Sequence, residues 1–235
     1  MKFYYWNTNE VSPYRNLAIE QKLMDHVPDE TVILFLWQNH DTIVIGRNQD
    51  VNTECRADEF LKDGGQIARR MSGGGAVYHD RGNVNYSIIC RAEYEKDCQY
   101  HYLLKKALSV LTIDAEYNDR NDLTVQGKKI SGNAVYVLGD IVCQHGTVLV
   151  ATDIQRMSYY LTPDVSKLSR NKVKSVKSRV ENISVFDPGI GVEDVKQALI
   201  KAANAEPLEF MPDMNAVDEL TNFYGSTKWI FGGER

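Results

Sequence analysis

The apolar residues of this chain fall into short dense runs separated by polar turns, a pattern that predicts more strands than helices. TVILFLW (31–37) is apolar almost throughout, as a strand buried on both faces must be. TIVIG (42–46) repeats that character after the polar turn Asn39-His40-Asp41. A short strand is predicted over 2–6. Ser12-Pro13 then offers a hydroxyl cap with proline in the first helical turn, so a helix is expected over 13–26, with Leu17, Ala18 and Met24 on its apolar face. A short helix near 54–62 should end at Gly64-Gly65, followed by strands at 66–70, 76–79 and 84–90.

Beyond these, 98–113 reads as helix, and 115–150 as antiparallel strands with tight turns at Gly127 and Gly139-Asp140. A helix near 153–160 should stop at Pro163, and the basic, polar stretch 164–182 reads as loop plus a short helix. The tail alternates helix (192–203), strand (207–211) and helix (214–224). Because strands outnumber helices and do not alternate with them, the expected class is α+β, with a mixed, mostly antiparallel sheet and flanking helices. A doubly wound nucleotide fold is disfavoured. With no repeat, low-complexity tract or linker, the chain is expected to form one domain over 1–235.

Composition narrows the function. A net charge of −5 argues against a general nucleic-acid binder, because phosphate-backbone affinity needs a cationic surface. The N-terminus MKFYYWNTNE lacks the charged start and apolar run of a signal peptide, and no stretch approaches the ~18 apolar residues of a membrane span. Cys55, Cys90, Cys98 and Cys143 show no C-x-x-C pair or metal-ligand spacing, which fits a reducing cytosol. The expectation is a cytoplasmic protein with no membrane or nucleic-acid partner.

Three segments carry candidate chemistry. In Arg69-Arg70-Met71-Ser72-Gly73-Gly74-Gly75-Ala76-Val77-Tyr78-His79-Asp80, three glycines free a turn of side chains so that its amides can face an anion, with two arginines adjacent. The plainer alternative is a glycine-rich hairpin with solvated arginines. It is neither a Walker A loop nor a dinucleotide fingerprint. In Asn121-Asp122-Leu123-Thr124-Val125-Gln126-Gly127-Lys128-Lys129-Ile130-Ser131-Gly132-Asn133-Ala134, an inward Lys129 would be a buried ammonium in need of an anionic partner; the alternative is an exposed turn. In Cys143-Gln144-His145-Gly146-Thr147, a lone histidine beside a buried strand is more often a satisfied core residue than a catalyst, and the same holds for His79 taken singly. His26, His40 and His101 look like surface or helix residues.

Taken in order, R-R-x-S-G-G-G-A-V-x-H-D-x-G-N (Arg69 to Asn83), R-N-D-L…G-x-K-x-S-G-x-A (Arg120 to Ala134) and H-G-T (His145 to Thr147) resemble the signature of lipoate–protein ligases of the A type. SPYRNLAIE (12–20), FLWQNHDTIVIGRNQD (35–50) and SVKSRVENIS (175–184) extend the resemblance over nearly the whole chain. It implies the α+β, class II synthetase-like domain shared with biotin ligases and octanoyltransferases. The implied reaction activates lipoate with ATP to lipoyl-AMP, then transfers the lipoyl group to a lysine of a lipoyl-carrier domain. That carrier would be a dehydrogenase acyltransferase subunit or a glycine-cleavage H-type protein.

The resemblance also implies residue roles. Arg70 and the backbone of Gly74, Gly75, Ala76, Val77 and Tyr78 would hold the nucleotide, with Asn83, Asp122 and Arg179 beside it and Mg2+ on the phosphates, Asp122 assisting the metal or the incoming amine. Lys129 would bridge the lipoyl carbonyl and the adenylate phosphate as the catalytic residue. Trp37, Ser72, His79, His145 and Thr147 would surround the lipoyl group, and the basic stretch Lys167–Arg179 would close over the adenylate or meet an acidic carrier. Two departures stand out. The smaller C-terminal domain of many members is expected to be absent, so a separate accessory protein is an expected partner. Gln144 replaces the histidine often found before His145. The alternatives are a transferase working through a cysteine thioester, with Cys143 as its candidate, and a binding subunit without turnover.

Overall fold

The structure is a computed structural model that describes residues 1–96, 100–119, 122–162 and 179–232. The first half runs β1 (Lys2–Asn7), α1 (Pro13–Met24), β2 (Thr31–Trp37), β3 (Thr42–Ile45), α2 (Val51–Glu54), α3 (Ala57–Lys62), β4 (Gln66–Arg69), β5 (Val77–His79) and β6 (Asn83–Arg91). The second half runs α4 (Tyr100–Val110), β7 (Glu116–Tyr117), β8 (Leu123–Val125), β9 (Lys128–Leu138), β10 (Ile141–Leu149), α5 (Ile154–Tyr160), α6 (Ile183–Phe186), α7 (Val192–Ala203), β11 (Glu206–Pro207), α8 (Met214–Tyr224) and α9 (Thr227–Gly232).

Eight strands form one sheet in the order β11-β1-β2-β6-β10-β9-β8-β7, parallel across β11-β1-β2 and antiparallel from β2 onward. A small sheet, β4-β3-β5, lies apart from it. The fold is thus α+β with a mostly antiparallel main sheet. Helices α4 and α7 pack on one sheet face with Leu34, Ile88 and Val148, while α1, α8 and the small sheet cover the other with Ile33, Phe35 and Ile89. Every residue of β2 is buried, because both faces of this central strand are covered. Ser12 caps α1 through its hydroxyl, which accepts from the Arg15 amide, and Pro13 occupies the first turn.

Several expected boundaries move. The helix expected at 54–62 is two, α2 and α3, separated by an extended Cys55 that bridges to Leu161. The strand expected at 207–211 shortens to Glu206–Pro207. Helix α4 ends at Val110, ahead of Thr112 in the left-handed region (φ 59°). Helices α6 and α9 have no counterpart among the expected elements. Residues 163–178, most of the basic stretch, lie outside the described residues, as do Arg120, Asn121 and Cys98. Among the described residues no helix is long and apolar enough to cross a membrane.

Arg69 explains how α9 is attached. Expected as half of an anion-binding pair, it is instead 2% exposed, and its guanidinium donates to the carbonyls of Gly46, Arg47, Gln49, Trp229 and Ile230. The Trp229 indole returns a hydrogen bond to the Arg69 carbonyl at 2.9 Å. Replacing it by leucine leaves those buried carbonyls unanswered. Arg69→Leu is expected to lower unfolding stability by about 3 kcal/mol in urea denaturation and to speed hydrogen exchange at 227–232; unchanged stability would contradict this role.

Candidate functional site

The register of the main sheet decides which side chains share the face under α1 and the small sheet. Alternation along each strand sends every second residue to that face, and the pairing lines them up in cross-strand rows. One row is apolar but for a thiol and a phenol: Ile33, Ile89, Cys143 and Tyr136. The next is Phe35, Ser87, His145 and Ala134, and the third is Trp37, Asn85, Thr147 and Gly132. All four residues of the third row line a cavity of about 230 Å³, joined by His145 and Ala134 from the second. Its remaining wall comes from Leu17 of α1, the glycine run, His79, Lys129 and Arg179.

The glycine run forms the roof. Gly74 adopts a positive φ of 94°, and its carbonyl oxygen lies 2.3 Å from where a side chain at Gly46 would begin, so this turn closes down on the end of β3 only because both positions are glycine. Arg70 is 7% exposed and holds the turn from beneath. Its guanidinium donates to Gly73 O at 2.7 Å, Gly75 O at 2.8 Å and Val44 O at 3.1 Å, and its Nε to Ser72 Oγ at 3.0 Å. Burial pushes the Arg70 pKa down to about 10, partly offset by Glu20, so it remains a cation at neutral pH.

Glu20 is the charged group that the sequence pattern alone does not single out. It is 3% exposed on α1, and its carboxylate accepts from His145 Nδ1 at 2.8 Å and from Ser87 Oγ at 2.5 Å. Burial alone would raise its pKa; the adjacent His145 and hydrogen bonds from His145, Ser87 and Cys143 outweigh this and hold it below the ordinary value. His145 Nδ1 donates to the carboxylate, and its Nε2 lies 2.6 Å from Ser72 Oγ. Trp37 joins the chain by donating from Nε1 to Ser87 Oγ at 3.1 Å. One hydrogen-bonded path therefore runs from Trp37 through Ser87, Glu20, His145 and Ser72 to Arg70 and the glycine turn.

At the other end of the third row, Lys129 turns inward. Its Nζ lies 2.6 Å from Asp122 Oδ1, with both side chains mostly buried. The ammonium rests over Gly132: a Cβ there would stand 2.7 Å from Nζ and 2.9 Å from Cε. Lys129 N donates to Arg179 O, and Glu181 N to Lys129 O, so residues 179–181 are strapped to the start of β9. This brings Arg179 into the cavity wall, where its Nε is buried without a partner.

Of the expected site residues, Trp37, Arg70, Gly74, Gly75, Ala76, Val77, His79, Lys129, His145, Thr147 and Arg179 line one cavity. Ser72 sits behind it on the Glu20 path. Asp122 stands behind Lys129. Asn83 lies behind Asn85, donating from Nδ2 to Asn85 Oδ1 at 2.9 Å. Tyr78 points away, its hydroxyl donating to Asp41 at 2.9 Å and its ring edge-on to Phe60. Sequence reasoning misses Glu20, Asn85 and the role of Gly132. Glu20 does carry a signal: Leu17, Glu20 and Met24 share the spacing of the buried face of α1.

Solved structures of this shape include lipoate protein ligases. The chain superposes on the bi-partite lipoate protein ligase of Thermoplasma acidophilum, described with its E2 lipoyl domain, with a TM-score of 0.83 at 24% identity over 100% of this chain and 97% of that one. LipL1 of P. falciparum, solved with lipoate, matches with a TM-score of 0.81 at 28% identity over 99% of this chain and 75% of that one. A lipoate-protein ligase A bound with ATP matches with a TM-score of 0.81 at 24% identity over 99% of both chains. The family model of the lipoyl protein ligase A/B catalytic domain matches residues 12–204, most of the chain and every segment of the cavity wall, and the protein belongs to that family.

Proposed function

We propose that this protein is an ATP-dependent lipoate–protein ligase, which converts lipoate and ATP to lipoyl-AMP and passes the lipoyl group to a lysine of a lipoyl-carrier domain. The observation that carries the reading is the Lys129 ammonium, held by Asp122 at the end of a slot whose far wall is Trp37. Joining a carboxylate to a triphosphate brings two anions together, and a fixed cation relieves that repulsion and stabilises charge in the transition state. Lys129 does this in the first step, in which the carboxylate oxygen bonds the α-phosphorus and pyrophosphate leaves with the electrons of the bond it breaks. In the second it polarises the mixed-anhydride carbonyl while the carrier's amine attacks, and AMP leaves with the bonding electrons. Arg70 holds the glycine turn, whose amides and neighbours Ala76 and Val77 face the nucleotide; Arg179 adds charge from the strap. Trp37, His79, His145 and Thr147 enclose the acyl chain.

Mg2+ would arrive with the nucleotide. The buried trio Glu20, Cys143 and His145 has ligand atoms within 4.8 Å of one another, but a thiol and an imidazole suit soft or borderline metals, and hydrogen bonds already fill the trio. Asp122, with one oxygen on Lys129, is the carboxylate that fits Mg2+ shared with phosphate. The cysteine-thioester alternative is weakened by Cys143, which is 0% exposed, does not line the cavity, and has a thiol pKa raised well above the ordinary value by burial. The bi-partite make-up of the Thermoplasma relative motivates a separate accessory polypeptide as partner, and its E2 lipoyl domain motivates the carrier class.

The direct test is intact mass of an apo-carrier after incubation with ATP, Mg2+, lipoate and the protein, with and without a candidate accessory protein. Carrier that gains mass in neither arm overturns the ligase reading. Lys129→Ala is expected to abolish both adenylate formation and transfer from preformed lipoyl-AMP while circular dichroism is unchanged; full transfer from the preformed adenylate would refute the role of Lys129. Gly132→Ala makes a finer prediction. The atoms it would displace are the flexible end of Lys129, so stability should change by under about 1 kcal/mol while kcat falls by at least about tenfold. Wild-type kcat in this variant would show that the ammonium's resting place does not matter.

A further inference from the structure

Cys143 takes no part in the ligase chemistry, yet it completes a cluster. Glu20 of α1 with Cys143 and His145 of β10 offers a carboxylate oxygen, Sγ and Nδ1, all buried and all within 4.8 Å of one another. Two protons hold the three residues together. Nδ1–H donates to Glu20 Oε1 at 2.8 Å, and the Cys143 thiol donates to the same carboxylate. An ion bonded to all three residues would take the place of both protons. Glu20 Oε2 is 3.0 Å from Nδ1 as well, so the carboxylate can present both oxygens and raise the set to four atoms. Ser87 Oγ donates to Oε1 at 2.5 Å, and Ser72 Oγ lies 2.6 Å from His145 Nε2. Partners behind the cluster therefore fix how the carboxylate and the ring are turned, as metal ligands require.

The donor set names the ion. A thiolate and an imidazole favour Zn2+ and similar borderline or soft metals, whereas Mg2+ and Ca2+ take sets of oxygen ligands. Zinc bonds of about 2.0–2.3 Å put tetrahedral ligand atoms roughly 3.3–3.8 Å apart, so the trio needs shifts of no more than about 1 Å to close on the ion. Charge agrees with this. A divalent ion, one carboxylate, one thiolate and a neutral imidazole sum to zero, so the loaded site encloses no net charge. We propose that Glu20, Cys143 and His145 form a binding site for a thiophilic divalent cation, Zn2+ foremost. On binding, the thiol gives its proton to solvent and Sγ bonds the metal. The imidazole bonds through Nδ1 and carries its proton on Nε2, where Ser72 Oγ accepts it. The way in is the cavity, whose wall includes His145. Ser72 also accepts from Arg70, so an ion held by His145 is linked through both to the glycine turn.

The test is titration of the full chain with Zn2+ and with Co2+, for the wild type and for Cys143→Ala, with circular dichroism to confirm that the variant folds. None of these measurements uses turnover, so the site stands or falls apart from the ligase reading. Wild type should bind one Zn2+ per chain and release at least one proton per ion, read from the dependence of the calorimetric heat on the buffer. With Co2+ it should give a thiolate-to-metal charge-transfer band that excess Mg2+ does not remove. Cys143→Ala should lose that band and bind Zn2+ at least about a hundredfold more weakly. Zn2+ should also raise the melting temperature of the wild type more than that of the variant. Three results overturn the site: no Zn2+ binding by the wild type, binding without proton release, or a charge-transfer band that persists in Cys143→Ala and so belongs to another cysteine.

Discussion

A single negative charge inside the fold constrains the site. Glu20 is fully enclosed, and hydrogen bonds from His145 and Ser87 answer its carboxylate. An uncompensated buried carboxylate costs several kcal/mol, more than any one contact around it contributes. Ser87, Cys143 and His145 are therefore held to positions from which they donate, and His145 is committed to a protonated Nδ1. Ser72 and Arg70 inherit their geometry from that commitment. The glycine turn is thus fixed by a carboxylate on a helix distant in sequence as well as by its own glycines and Arg70.

The sheet explains why these groups can converge. In an antiparallel array a residue's cross-strand neighbours are set by register alone, so Trp37, Asn85, Thr147 and Gly132 meet although they come from four strands. A slip of one residue in β10 would turn His145 and Thr147 to the other core and bring Gln144 and Val148 to the cavity side. The hydrophobic packing that specifies the sheet, with α4 and α7 on one face and α1 and α8 on the other, thereby specifies the site as well.

How much of this is legible in the sequence depends on which facts are local. The glycine turn and the turn before Lys129 are short-range features, and their residues stand out in the bare order of amino acids. The Ser12-Pro13 cap and the apolar run of β2 are equally plain. Arg69 and Arg70 show the limit. They are neighbours at a strand end, where side chains alternate between faces, so only one can reach the cavity, yet composition treats them alike. Asn85 is hidden for another reason. It is unexceptional in its own segment, and its place in the cavity wall comes from the register of the main sheet. Gly132 is recognisable as unusual within β9, but not as the bed of the Lys129 side chain.

The three rows also differ in how completely their polar groups are satisfied, and that gradient argues for a working site over a structural one. The row of Ile33, Ile89, Cys143 and Tyr136 is mostly apolar, and its thiol donates to Glu20. In the second row, Ser87 and His145 are polar but find partners within the protein. In the third, Asn85 keeps a free donor; His79 beside it and Arg179 at the cavity wall keep others. Each such group costs on the order of 1–3 kcal/mol if nothing meets it. Stability alone would favour an apolar residue at those positions, as in the first row. Three of the buried groups left without partners, on Asn85, His79 and Arg179, line one cavity with a fixed ammonium at its end, as a ligand-binding pocket requires.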